Sequence, residues 1–336
     1  MHFTFRFLPA LVVIVVPVLL SFINTSTAQQ PSATEFSKLD IAALPVKAKI
    51  HLGGNPDWLA VGFGSVWVSI PRNNEIVRIN PEDNTVQARI TVGEEPGYGI
   101  GIGTNYVWVL NCKSQTLTRI NPRENQVDLT VPANIAMHGE GSIAVTGDSV
   151  WYVSNKDGHS RTLVHADDHG RMLSEITVGA DSAVVTAGFN SIWVTSSGDA
   201  VVQRVDPQSH KITATIKVPA TPRFTTIGAD SVWVLSQSDG SVSRIDPRTN
   251  QVAATIAAKV PGTGGDIAYG EGYIWVAAAG IPMSRINPAS NKVLEQFGNY
   301  KDADAIRYGF GSVWITDHSK GKGDLWRVDP KQLPDK

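Results

Sequence analysis

The chain has 336 residues, 42% of them apolar and 18% charged, with a formal charge of −2 and a pI near 6.4. That balance suits a globular protein and gives no support to binding of nucleic acid or of an anionic membrane, both of which reward a basic surface. Cys112 is the single cysteine, so an intrachain disulfide is excluded.

The first 28 residues read as a secretory signal. Arg6 stands in a short n-region, an apolar run from Leu8 to Phe22 is interrupted by Pro17, and Ser26-Thr-Ala28 offers small residues for cleavage. The mature chain is expected to begin near Gln29, in the periplasm or outside the cell, with no membrane attachment once the signal is gone. Residues 29–45 are polar, contain Pro31 and Pro45, and read as a linker.

From residue 46 to residue 336 the chain repeats itself. A tryptophan sits inside an apolar run at positions 67, 108, 151, 193, 233, 275 and 314, with gaps of 41, 43, 42, 40, 42 and 39 residues. A second apolar run follows each one and ends in Arg78-Ile-Asn-Pro, Arg119-Ile-Asn-Pro, His165-Ala-Asp-Asp, Arg204-Val-Asp-Pro, Arg244-Ile-Asp-Pro, Arg285-Ile-Asn-Pro or Arg327-Val-Asp-Pro. Seven units of this length predict an all-β, seven-bladed β-propeller with four strands per blade. In the first unit these are an inner strand at Trp58–Val61, the tryptophan strand, the arginine strand and an outer strand at Val86–Val92. The turn at Asn80-Pro-Glu-Asp-Asn84 carries its own chemistry: Asn or Asp starts it, Pro presets φ, and a late Asn or Gly accepts positive φ.

Val46-Lys-Ala-Lys-Ile-His-Leu matches the outer strand at Val86-Gln-Ala-Arg-Ile-Thr-Val, yet no inner strands precede it. The last unit stops at Arg327-Val-Asp-Pro330 and lacks a fourth strand. The N-terminal strand is therefore expected to complete the last blade and close the ring.

The seven tryptophans read as core, and the recurring arginines as partners of carbonyls or turn residues in their own blade. One rim of the ring has turns of constant length; the other varies, and sites are expected on the variable rim around the channel. His165-Ala-Asp-Asp-His169 has the composition of a metal cluster, but Asp167 falls on the turn-starting position of the constant rim. Cys112 has Lys113 beside it to lower its pKa and reads as a stray thiol.

Departures from the repeat point to function. The third unit opens with His138-Gly-Glu140, the fifth with Arg223, which suits an anionic group, and the sixth with Gly264-Gly-Asp266. The seventh opens with Asp302-Ala-Asp304, and its tryptophan strand ends in Asp317-His318. Asp302, Asp304 and Asp317 make an oxygen-rich set of the kind that takes Mg²⁺ or Ca²⁺.

The repeats Gly-x-Gly-Ser-Val-Trp-Val and Arg244-Ile-Asp-Pro-Arg-Thr-Asn-Gln-Val-Ala-Ala-Thr-Ile256 resemble those of the bacterial YVTN-type propellers and of the streptogramin B (virginiamycin B) lyase superfamily. The likeness spans residues 46–330. In the lyase, as the resemblance implies, a Glu-x-His pair opens one blade, its carboxylate holding Mg²⁺ and its His acting as base, and a second Glu closes that blade's tryptophan strand. In this chain Trp314-Ile-Thr-Asp317 ends in an acid at that point, Asp302 and Asp304 bracket the place of the opening pair, and Ala303 stands where the His is expected.

Two readings follow. The first is a secreted or periplasmic propeller, expected as a monomer, that serves as a scaffold for a small-molecule or protein ligand on its variable rim through Glu140, Arg223 and Asp266. The alternative is a carbon–oxygen lyase or hydrolase using Mg²⁺ or Ca²⁺ on a cyclic depsipeptide or lactone. Its metal ligands are Asp302, Asp304 and Asp317, and its base is His318 or His138.

Overall fold

A computed structural model describes residues 1–2, 36–136, 140–156, 158–159, 161–319 and 323–334. The expected signal and the first part of the expected linker fall at residues 3–35, outside the described residues. From Phe36 onward the chain forms seven antiparallel sheets, one per repeat unit. The inner strands touch in cyclic order, each against the next blade's, and the seventh, Ala303–Gly309, meets the first, Leu59–Gly62, so the ring is closed. No described helix is long and apolar enough to cross a membrane.

The sequence dictates each blade by the same means. In the first, Leu59–Gly62 turns at Phe63-Gly64, Ser65–Ile70 carries the tryptophan, Glu75–Ile79 carries the arginine and Val86–Thr91 lies outermost. Strands buried on both faces read as unbroken apolar runs; the outermost alternates, because one of its faces meets water. All seven blade tryptophans are buried. In five blades the indole N–H also donates to a glycine carbonyl at the end of the inner strand, as Trp67 does to Gly62 at 3.0 Å.

The ring closes as its sequence requires. Val46–His51 pairs antiparallel with Asp324–Val328, with Val46 opposite Val328 and His51 opposite Asp324, as the fourth strand of the last blade. Lys49 adds its ammonium over the Trp326 ring at 4.6 Å.

Two expectations change. Within the expected linker, Ser37–Asp40 form a fifth, parallel strand on the outside of the sixth blade, against Lys292–Gly298. Ile41–Ala43 follow as a 3-10 turn in which Asp40 Oδ1 accepts from Ala42 N. An exposed strand edge recruits backbone by main-chain bonds, which leave no apolar pattern to read.

The recurring arginines, moreover, bind not only their own blade but the next one. Arg204 crosses to Pro247 O at 2.6 Å and Asn250 Oδ1 at 3.0 Å, and Arg244 to Pro288 O at 2.8 Å and Asn291 Oδ1 at 3.3 Å. Arg327 reaches Pro81 O and Asn84 Oδ1 of the first blade while lying over Trp314 at 5.0 Å. The turn's Asx-Pro-x-x-Asn sequence thus presents a carbonyl and an amide oxygen to its neighbour's cation. Arg327→Ala is expected to cost about 2–3 kcal/mol, the loss of charged hydrogen bonds and a stacked cation at a buried site. Urea melts against Arg72→Ala, an exposed arginine, check this.

Candidate functional site

The variable rim carries the departures from symmetry, and one position gathers most of them. Ten residues before each blade tryptophan stand Asp57, Tyr98, Gly141, Ala183, Arg223, Gly265 and Asp304. These equivalent positions open the seven inner strands around the channel. With Glu140, one residue before Gly141, and His318, just past the last tryptophan strand, they build a single polar cup.

The cup has a floor. Trp58 reaches from the first blade to the third and the fifth: its ring lies 6.1 Å from that of Phe224, and a Cβ on Gly141 would come within 3.0 Å of it. Gly141, at φ +75°, therefore has both steric and conformational reason to be glycine. Beneath the cup, Arg307 lies over Trp58 at 4.7 Å and pairs with Asp266. Burial pulls the Arg307 guanidinium down to about 10, which leaves it charged at neutral pH.

Above this floor is a cavity of about 480 Å³ lined by Tyr98, Glu140, Arg223, Lys301, Asp302, Asp304 and His318, among others. Glu140 accepts from Arg223 at 3.3 Å. Asp304 accepts from Gly265 N at 2.7 Å through Oδ1, and its Oδ2 lies 3.4 Å from His318 Nε2. Asp57, Asp304 and His318 each offer a donor atom within 4.8 Å of the others. Asp57 is deep in the cluster, and its carboxyl shares a hydrogen bond with that of Asp304.

Crowding of acids sets the electrostatics. Burial, then the charges of Asp304 and Glu140, hold the Asp57 carboxyl well above the usual range. Glu140 is pushed up to about 7 by burial and by Asp304, against the opposing pull of Arg223. Tyr98 rises to about 12, chiefly through burial. The cup therefore holds more carboxylates than it can keep ionised cheaply, the condition that a bound cation relieves.

The residues expected from sequence divide. Glu140, Arg223, Asp302, Asp304 and His318 meet at the cavity. Asp317 does not: Ala303 stands opposite it, and the register shift before Ile306 turns Asp304 to the other face of the sheet. Asp317 is buried and accepts from Ser319 N at 2.9 Å and from the Tyr300 hydroxyl instead. Asp266 sits below the cup, its oxygens taken by Ile267 N, Ile306 N and Arg307, because it falls one residue past the cup-lining position. His138 lies outside the described residues. Asp57 and Tyr98 escaped the sequence reading, although their spacing from Trp67 and Trp108 equals that of Asp304 from Trp314.

The fold and this cup define a seven-bladed β-propeller with a polar site at the mouth of a plugged channel. The chain belongs to the family described as a domain of unknown function (DUF5074), which matches residues 137–335. No curated protein matches its sequence. Solved structures of similar fold include the virginiamycin B lyase of Staphylococcus aureus, with 16% identity and a TM-score of 0.67 over 84% of this chain and 98% of that one. A streptogramin B lyase structure is similar at 16% identity and a TM-score of 0.69, over 84% and 97%. BamB from Moraxella catarrhalis is similar at 11% identity and a TM-score of 0.61, over 85% and 100%. These TM-scores establish a shared propeller fold.

Proposed function

We propose that this chain is an exported binding propeller whose cup holds a small ligand through a cationic centre. Its first 28 residues are its export signal, and its place of action is the periplasm or the cell exterior. The observation that carries this reading is the gathering of Asp57, Asp304 and His318 donor atoms within 4.8 Å of one another, with Glu140 beside them. Crowded buried acids are costly to ionise, and a cation arriving from solution would relieve that cost.

A second reading, a metal-dependent lyase or hydrolase, is favoured by the donor set itself. Two carboxylates and one imidazole fit a divalent cation, with Mn²⁺ at least as well matched as Mg²⁺ because of the nitrogen. Asp57, Asp304 and His318 would hold the ion, which would supply Lewis acidity to a substrate oxygen. Arg223 would orient an anionic group, and Glu140, near 7, would exchange a proton at neutral pH.

Thermal melts of chelator-treated protein with millimolar Mn²⁺, Mg²⁺ or Ca²⁺, or with simple amines, test the shared premise. An occupant at one hundred times its Kd stabilises by about 2.7 kcal/mol, a rise that Asp304→Ala is expected to abolish. No shift with any cation overturns both readings. A shift with a metal, followed by turnover of a cyclic ester, selects the second.

A further inference from the structure

Four joints between blades share one construction, and one of the others replaces both of its partners with histidine. In the first, fourth, fifth and seventh blades an arginine lies over the blade tryptophan, donates through Nε to a serine, and crosses through Nη1 to an asparagine in the next blade's turn. The third blade has His165 in the arginine's place, and the fourth blade's turn has His210, at φ +56°, in the asparagine's place. Both partners of the joint have changed, and they still meet.

His165 reproduces three of the arginine's contacts with its imidazole: the stack on tryptophan, the serine and the side chain of the next blade's turn. Its ring stacks on Trp151 at 4.0 Å and 2°. Nε2 lies 3.0 Å from Ser149 Oγ, the equivalent of the serines that accept from arginine Nε. Nδ1 lies 2.9 Å from His210 Nε2, across the blade boundary. A hydrogen bond between two ring nitrogens requires one of them to be unprotonated, so the contact exists only while the pair holds fewer than two charges. An arginine–asparagine joint carries no such condition, because guanidinium stays charged at any ordinary pH.

We propose that the His165–His210 contact is an acid-sensitive latch between the third and fourth blades, closed at neutral pH and opened when both imidazoles are protonated. The charged groups near it are Asp167, which is tied to Arg171 in the third blade's turn, and Asp206, in the turn that carries His210. Asp167 favours protonated His165, but burial and His210 outweigh it and lower the His165 pKa below that of free imidazole. With the folded pKa below the unfolded one, the latch contributes fully above the unfolded pKa and is lost as pH falls towards the folded one. Opening is predicted for the third and fourth blades' turns on the constant rim, away from the cup.

The test compares chelator-treated wild type with the double variant His165→Arg/His210→Asn, which writes the common joint into this position. Melting temperatures are read at pH 7.5 and pH 5.0. Carboxylates elsewhere titrate in both proteins, so the difference between the two losses isolates the latch. Wild type is expected to lose about 2–4 °C more than the variant. Equal losses overturn the proposal. Should the variant not fold, ¹⁵N titration of the wild-type imidazoles decides. Coupled titration of the pair, with His165 protonating below free imidazole, supports the latch; two independent, unperturbed imidazoles overturn it.

Discussion

A chain lacking residues 46–51 is expected to lose its cooperative melt. Those residues are the fourth strand of the last blade, and their removal strips one of the two strand neighbours from Asp324–Val328, which keeps only Ser312–Asp317. It also uncovers apolar surface that Ile50 covers and removes the lysine lying over Trp326. Several hydrogen bonds at about 1 kcal/mol each, with one aliphatic side chain at about 2, sum to roughly 5 kcal/mol or more. That equals the lower end of a domain's whole net stability. The loss is larger still because a propeller has no independent blades: each inner strand is walled by two neighbours, and a broken seam exposes both sides. Calorimetry on the deletion and on the milder Ile50→Asp checks this, and an unchanged transition temperature in the deletion would show that the ring does not depend on its clasp.

Asp57→Asn should have the opposite sign. Most substitutions of buried polar groups destabilise, but here the native carboxyl is held well above its ordinary pKa by burial, Asp304 and Glu140. An acid whose folded pKa is raised binds its proton more tightly in the native state. Its neutral form costs nothing below the unfolded pKa, and a penalty grows as pH rises through the folded value. The amide removes the charge and offers an N–H to the Asp304 carboxylate. A gain of about 1–3 kcal/mol is expected near pH 8, shrinking towards zero near pH 4, in chelator-treated protein. The same variant should lose the cation response of the wild type. Stability gained with binding lost is the mark of a site kept at the expense of the fold; a loss of stability at pH 8 would mean that Asp57 serves the structure.

Much of the fold was legible because it is periodic. Seven tryptophans, seven turn sequences and an orphan strand sufficed to predict blade number, strand order and the ring's closure. What escaped was held by main chain, as in Ser37–Asp40, or lay between copies, as in the arginines' reach to the next blade. The cup was half legible. Glu140, Arg223, Asp304 and His318 stood out as departures from the repeat, and they do converge. Asp57 was hidden because it falls one residue before the first inner strand, Trp58–Val61, outside the strands that were compared. Asp317 and Asp266 misled because proximity in sequence was taken for a shared direction: strand alternation and one register shift send them elsewhere.

The clasp also sets the order of events in making the protein. His51 and Asp324, paired at 3.0 Å, are separated by 273 residues, so a strand made near the start of synthesis is used at its end. Until the C-terminal strand emerges, Val46–His51 has no place in its blade, and the nascent ring remains an open arc with two bare edges. Closing a loop of that length carries an entropic toll that grows only logarithmically with chain length, but it is met in one late step. Folding should accordingly be slow, with high contact order, and completed only after the whole chain is available. Circular permutation that joins the end of Asp324–Val328 to Val46 through a short turn would move the seam elsewhere, and should speed refolding while leaving the seven blades as they are.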